Sequence, residues 1–178
     1  MFECRKVYLR PVEKGDMESF YKAVQNEDIR YMTGTTREFT MEDLYEHYER
    51  ITSDETRYDF AVCLKEDDRL IGDLSIIDID RTNRKAGFRI ALHSPAYLNK
   101  GYGSEAVRLA MQLAFERLDL NRLQLEVFSH NKRALKAYEK AGFKREGTVR
   151  EALYMNKQYS DEIIMGILKR EYEELISR

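Results

Sequence analysis

Apolar residues recur along this chain in two different periods, and the switches between them divide it into strands and helices. Residues 5–9 read as a first strand, ended by Pro11. Met17, Phe20, Tyr21 and Val24 then fall at helical spacing behind Asp16, a residue suited to an N-cap. A second helix is predicted over 40–51, opened by Thr40-Met41-Glu42-Asp43 in the form of a capping box. Between these helices, residues 30–39 read as a polar stretch carrying Tyr31 and Gly34.

The middle of the chain predicts strands at Tyr58–Leu64, Leu70–Asp80 and 86–92, joined by turns at Glu66-Asp67-Asp68-Arg69 and Asn83-Arg84. Such short connections make an antiparallel meander, and Gly72 inside the second strand marks a bulge or a close approach. After Pro95 the period changes. Val107, Ala110, Met111, Ala114, Phe115 and Leu118 lie on one face of a helix over 103–118. A strand at Arg122–Phe128, a helix at 132–141 stopped by Gly142, and strands at 144–154 and 159–168 follow. Residues 169–178 form a charged tail with room for a turn or two of helix. This order predicts an α/β (α+β) protein, a mixed sheet with helices on both faces, in one domain over residues 1–178.

Composition narrows the function. At 178 residues the chain can bury a substantial core, and a net charge of −2 gives no reason to expect nucleic acid or another polyanion as partner. No apolar run approaches the roughly 20 residues of a membrane span. The first residues lack the apolar stretch of a signal peptide, so a cytoplasmic location is expected. Cys4 and Cys63 are read as free thiols, and the scattered His47, His93 and His130 give no metal signature.

The most informative stretch is Tyr97-Leu98-Asn99-Lys100-Gly101-Tyr102-Gly103-Ser104-Glu105-Ala106. Two glycines one residue apart let backbone N–H groups converge on a ligand, and the helix behind them points its positive end at the same place. That arrangement suits a phosphate or pyrophosphate. The same residues also match the dinucleotide fingerprint G-x-G-x-x-A, with Glu126 placed like a ribose-binding acid. Against that reading, eight residues including Pro95 separate Leu92 from Gly101, and the preceding strands form a meander instead of βαβ units.

Downstream, residues 131–143 have the form N-x-x-A-x-x-x-Y-x-x-x-G-F, from Asn131 through Tyr138 to Gly142-Phe143. With the glycine loop, this motif resembles the GCN5-related N-acetyltransferase (GNAT) family over nearly the whole chain. Arg10-Pro11, the stretch from Glu146 to Glu151 and Tyr159-Ser160-Asp161 resemble the branch with ribosomal-protein alanine acetyltransferases and spermidine acetyltransferases. The resemblance implies a mostly antiparallel sheet of about seven strands with one splayed parallel pair, here 86–92 beside 122–128. It also implies acetyl transfer from acetyl-CoA to an amine by direct attack in a ternary complex, without a metal.

Residue by residue, the resemblance implies that main-chain groups at Ala91 and Leu92 hold the pantetheine arm and polarise the thioester. Backbone from Leu98, Asn99, Lys100, Gly101, Tyr102, Gly103 and Ser104 would hold the pyrophosphate, although Leu98 stands where the family usually has Gln or Arg. Asn131 would bond the cofactor arm, or serve as a helix N-cap, or both. Tyr138 would protonate the departing thiolate. No acid stands at the family's usual base position, which reads Arg84-Lys85-Ala86-Gly87; either a water chain serves or an acid from elsewhere does, and Glu126 and Asp73 are weak candidates that also read as structural or solvated. The acceptor is expected between residues 30–39 and the Asn156 hairpin. A peptide N-terminus leads there, because residues 33–38 hold one acid and one base and so do not favour a polyamine. A small amine (polyamine, amino sugar or drug) and a non-catalytic CoA-binding protein are the alternatives, and exposed strand edges near the C-terminus suggest a homodimer.

Overall fold

The computed structural model describes residues 2–177. Its strands are β1 (Phe2–Glu3), β2 (Val7–Pro11), β3 (Tyr58–Leu64), β4 (Leu70–Asp80), β5 (Lys85–Leu92), β6 (Arg122–Phe128), β7 (Lys144–Met155) and β8 (Gln158–Leu168). They form one sheet in the order β1-β2-β3-β4-β5-β6-β8-β7. The seven strands anticipated from the sequence are all present, and β1 adds a two-residue edge against Leu9 and Tyr8. Every pairing is antiparallel except that of β5 with β6. That parallel pair is registered only from Lys85–Arg122 to Gly87–Gln124, after which the two strands part.

The parting leaves the far half of β5 unpaired on one side, and the ladder fixes which of its groups face the gap. His93 N–H donates to Ile71 O at 2.8 Å, so the main-chain groups of His93 and, two residues back, Ala91 point at β4. The main-chain groups of Leu92 and Ile90 therefore point into the gap. Side chains divide in the same rhythm. Leu74, Ile76, Phe88, Ile90 and Leu92 join the main core on one face, while Asp73, Arg89 and Ala91 line the other.

The helices are α1 (Met17–Gln25), α2 (Glu27–Thr33), α3 (Met41–Ser53), α4 (Tyr102–Gln112), α5 (Lys132–Lys140) and α6 (Lys169–Ile176). None is long and apolar enough to cross a membrane. Helix α4 buries Ala106, Val107, Leu109, Ala110 and Met111 in the main core and continues into a π turn, Leu113–Arg117, that buries Phe115. Each large apolar side chain so removed from water contributes about 1.5–3 kcal/mol. On the opposite face, α1 and α3 close a smaller core of Val12, Met17 and Leu44. The capping box of α3 forms as expected: Thr40 Oγ1 accepts from Asp43 N–H, and the Asp43 carboxylate accepts from Thr40 N–H at 2.7 Å.

Two expectations change. Asp16 does not cap α1 with its side chain; it ends a 3-10 turn, Lys14–Asp16, and its carboxylate accepts from Glu13 N–H and from both terminal nitrogens of Arg10. Burial alone would raise the Asp16 pKa, but the Arg10 guanidinium and the Glu13 N–H outweigh it and hold the carboxyl below its ordinary value. The stretch 30–39 is not all connection either. Its first residues belong to α2, whose ends are marked by Asn26, accepting from Ile29 N–H at 3.0 Å, and by Gly34 at φ 68°. The signal was present in the sequence as an Asn…Gly pair, but the helix has no fully buried residue, so hydrophobic periodicity was too weak to reveal it.

Candidate active site

A cleft of about 470 Å³ opens on the α4–α5 face, between the end of β5 and the start of α4. Gly101, at φ 83°, turns the chain into α4 without a side-chain cap. The backbone N–H groups of Tyr102, Gly103 and Ser104 therefore stand at the open, positive end of the helix. Asn99 also adopts a left-handed conformation, at φ 60°. A Cβ on Gly103 would meet only Leu92 Cδ1, at 3.9 Å, so the backbone there can approach a ligand closely.

Of the residues singled out in the sequence, Ala91, Leu92, Leu98, Asn99, Gly101, Gly103, Ser104, Asn131 and Tyr138 line this one cleft. Lys100 and Tyr102 do not. The Lys100 carbonyl accepts from Lys6 Nζ at 2.7 Å, and the Tyr102 ring packs on the main core with Lys6 Nζ 5.9 Å from its centroid. Lys100 keeps an exposed side chain outside the cleft, and Tyr102 can offer a ligand only its main-chain N–H. Ala91 contributes its methyl group, since its main chain is turned to β4, whereas Leu92 offers main-chain groups to the gap. Arg133, on the first turn of α5, adds a cation to the cleft wall that sequence reasoning did not single out.

Asn131 caps α5, its Oδ1 accepting from Ala134 N–H at 3.2 Å. Its Nδ2 donates to Met32 O at 3.2 Å, and the neighbouring His130 bonds Tyr31 O through Nε2 at 2.7 Å. The C-terminal carbonyls of α2 are thus held by the β6–α5 connection, and this brings Ile29 and Thr33 over the splayed strands. Asn131→Ala removes the cap and the bond to α2 together. It is expected to cost about 1–2 kcal/mol, read as a lower urea midpoint.

Tyr138 lies two turns along α5 from Asn131, its ring edge-on to Phe143 at a centroid distance of 6.0 Å. Its hydroxyl has no protein hydrogen-bond partner among the described residues and faces the cleft. Burial pushes its pKa up to about 12, so the phenol carries its proton at neutral pH.

A second cleft, of about 600 Å³, lies on the opposite face of the sheet, under α1 and α3. Ile29, Thr33 and Ala91 line both clefts, so the two adjoin between α2 and the unpaired end of β5. From the 30–39 stretch, where the acceptor was expected, Arg30, Thr35, Arg37 and Phe39 line this cleft. The Asn156 hairpin does not line this cleft; α3 and the β4–β5 ladder do. Its acids are Asp43, Glu46 and Asp73. Asp43 is engaged by Arg37 and Thr40, while Asp73 Oδ1 lies 2.7 Å from His93 Nε2. His93 Nδ1 in turn lies 3.0 Å from Ser19 Oγ. Burial, with Arg50 beside it, pushes the His47 pKa below its ordinary value. Glu126 joins neither cleft: it is exposed on β6 and accepts from Gln124.

The family model for the Acetyltransferase (GNAT) domain matches residues 6–144. The chain belongs to the GNAT acetyltransferase family. Over 98% of its length it is 32% identical to all of a probable N-acetyltransferase, YjcK, of Bacillus subtilis. It is also 32% identical to the spermidine N(1)-acetyltransferase of Escherichia coli, over 97% of this chain and 91% of that protein. Among solved structures, the spermidine N-acetyltransferase of Vibrio cholerae in complex with CoA and spermine superposes with a TM-score of 0.87 at 28% identity, covering 94% of this chain and 98% of that one. This GNAT protein is an acetyl-CoA-dependent N-acetyltransferase, with acetyl-CoA as cosubstrate and an amine as acceptor.

Proposed function

We propose that the acceptor is a polyamine of the spermidine and spermine class, acetylated at a primary amine by direct attack on the thioester. The observation that carries this reading is the pair of clefts on opposite faces of the sheet, which share Ile29, Thr33 and Ala91 in their linings. Cosubstrate on one side and acceptor on the other then meet at a single point, with both reactants held in orientation. The residues 33–38, which argued against a polyamine, supply little of the acceptor wall's negative charge. The cleft's carboxylates are Asp43 and Glu46 on α3 and Asp73 on β4, set among Arg30, Arg37, Arg50 and Arg89. The likeness to the two spermidine acetyltransferases supports the same class.

In this reading the pyrophosphate rests on backbone N–H groups between Asn99 and Ser104, with the Ser104 hydroxyl and Arg133 adding donors. Leu92 pairs the pantetheine arm across the gap and polarises the thioester carbonyl. Asn131 holds the arm's entry, and Tyr138 protonates the departing thiolate.

A second reading, a peptide N-terminus or another amine bearing an anionic group, is favoured by Arg89. This guanidinium lines the acceptor cleft and has no ion-pair partner among the described residues. The test has two stages. Acetyl-CoA and CoA at about 100 times Kd are each expected to stabilise the fold by about 2.7 kcal/mol, seen as a rise in melting temperature that NAD does not produce. Turnover is then compared between spermidine and a short peptide with a free N-terminus. Spermidine is expected to be acetylated and the peptide not; the reverse result replaces the first reading by the second.

A further inference from the structure

We propose that Asp73 is the general base that takes the proton from the acceptor ammonium, and that His93 and Ser19 position it. The proposal rests on acetyl transfer to an amine and not on which amine is used. It begins with the splay. Ala91 lines both clefts, and Asp73 is its cross-strand partner on β4. Paired residues of an antiparallel ladder put their side chains on the same face, with Cβ atoms about 4.5–5.5 Å apart. The Asp73 carboxylate therefore stands beside the opening through which the amine must reach the thioester. No other acid of the acceptor cleft is so placed: Asp43 and Glu46 come from α3, and Asp43 is taken up by Arg37 and the start of its own helix.

The neighbours of Asp73 fix its role. His93 is nearly closed off from solvent, with its side chain 5% exposed, while the Asp73 side chain keeps 25%. Both imidazole nitrogens are engaged, Nε2 with Asp73 and Nδ1 with Ser19. An Nε2–H tautomer donates to Asp73 Oδ1 and accepts the Ser19 hydroxyl, leaving the other carboxylate oxygen to meet the amine. The carboxylate thus touches substrate, and the histidine acts through it.

The charges around this pair come from every element packed on it. Arg89 approaches from β5, Arg30 from α2, and His47, Arg50 and Glu46 from α3. On β3 and its approach, Asp59 is bound to Arg57, and below α1 Asp16 is bound to Arg10. Those two acids are each paired with an arginine of their own, so neither competes with Asp73 for the cleft.

The protons balance as follows. The ammonium passes one proton to Asp73, and the neutral nitrogen forms a bond to the thioester carbon. The tetrahedral intermediate collapses with loss of the C–S bond, and the thiolate takes the Tyr138 proton. The nitrogen's second proton returns to the Tyr138 oxygen, directly or through water, and Asp73 releases its proton to solvent. The products are the amide, CoA and one proton.

The test is the pH profile of kcat/KM for the best acceptor in a screen of spermidine, spermine and a short peptide. Asp73→Asn keeps an acceptor for the His93 N–H but cannot take a proton. At pH 7 it is expected to lower kcat/KM about a hundredfold. The deficit should shrink about tenfold per pH unit as the free amine grows towards its own pKa near 10, with the CoA-induced rise in melting temperature intact. A folded, CoA-binding D73N protein with wild-type kcat/KM at pH 6–7 overturns the proposal. If D73N does not fold, His93→Gln decides: it leaves the carboxylate in place but is expected to move the acid limb of the profile, and an unmoved limb overturns the proposal equally. Loss of spermidine turnover in the wild-type protein, with the peptide used instead, would remove the polyamine reading and leave the role of Asp73 to be judged on the peptide.

Discussion

Replacing Tyr138 by Phe is expected to lower kcat about a hundredfold or more while leaving the affinity for acetyl-CoA close to that of the wild type. The ring would keep its place against Phe143 and the edge of the main core, so the substitution removes one O–H and little packing. That hydroxyl has no protein partner among the described residues and faces the cleft at the start of α4, so its loss leaves no protein group stranded. Burial keeps the phenol protonated up to about pH 12. It is therefore loaded as an acid throughout any practical assay, and no alkaline loss of rate below that pH should be traceable to it. The same burial disfavours a thiolate at the point where it leaves, which is where a proton donor is needed. Steady-state kinetics in both substrates, with a separate titration of acetyl-CoA binding, checks the result. An unchanged kcat would mean that the thiolate departs without help from α5.

Gly72→Ala is expected to be the most destabilising single-methyl change near the site. A Cβ at Gly72 would stand 2.4 Å from Ala91 O and 3.1 Å from Leu92 Cα, both main-chain atoms of β5. A flexible side chain could swing away; a strand held in a ladder from Gly72–Leu92 to Ile77–Gly87 cannot. The clash must be relieved by pushing β5 towards the gap, and overpacking of this kind costs about 1–3 kcal/mol or more. For a chain of this size that corresponds to a fall in melting temperature of several degrees, at about 2–4 °C per kcal/mol. Because β5 carries Leu92, the shift should also weaken CoA binding beyond what the lost stability explains. A thermal melt with and without CoA separates the two effects. A variant with an unchanged melt and unchanged CoA response would show that β5 has slack at its unpaired end.

Glycines illustrate how unevenly the chain discloses its structure. Gly72 announces a close approach by interrupting an apolar strand, yet nothing local says that the approaching atom is Ala91 O. Gly101 and Gly103 announce a ligand loop because their effect is on the backbone they belong to, and the helix behind them shows its period directly. Strand order up to β5 follows from short turns. The Asn131 and Tyr138 spacing is likewise a property of one helix, so both were visible before folding.

What needed the tertiary structure is what distant segments make together. Helix α2 was missed because it buries no side chain fully and is held instead by His130 and Asn131, 99 residues further on. The second cleft was invisible for the same reason: its acids lie on α3 and β4, and only the packing of those elements brings them to one cavity. His93, Asp73 and Ser19 looked unrelated, separated by 20 and 74 positions, until a β-ladder and a packed helix joined them. The sequence by itself determined seven of the strands, most of the helices, and the positions of the glycine loop and Tyr138, because periodicity, caps and backbone freedom are local. Only the fold decided where the two clefts meet and which carboxylate stands there, because that depends on a parallel strand pair that stops after three residue pairs.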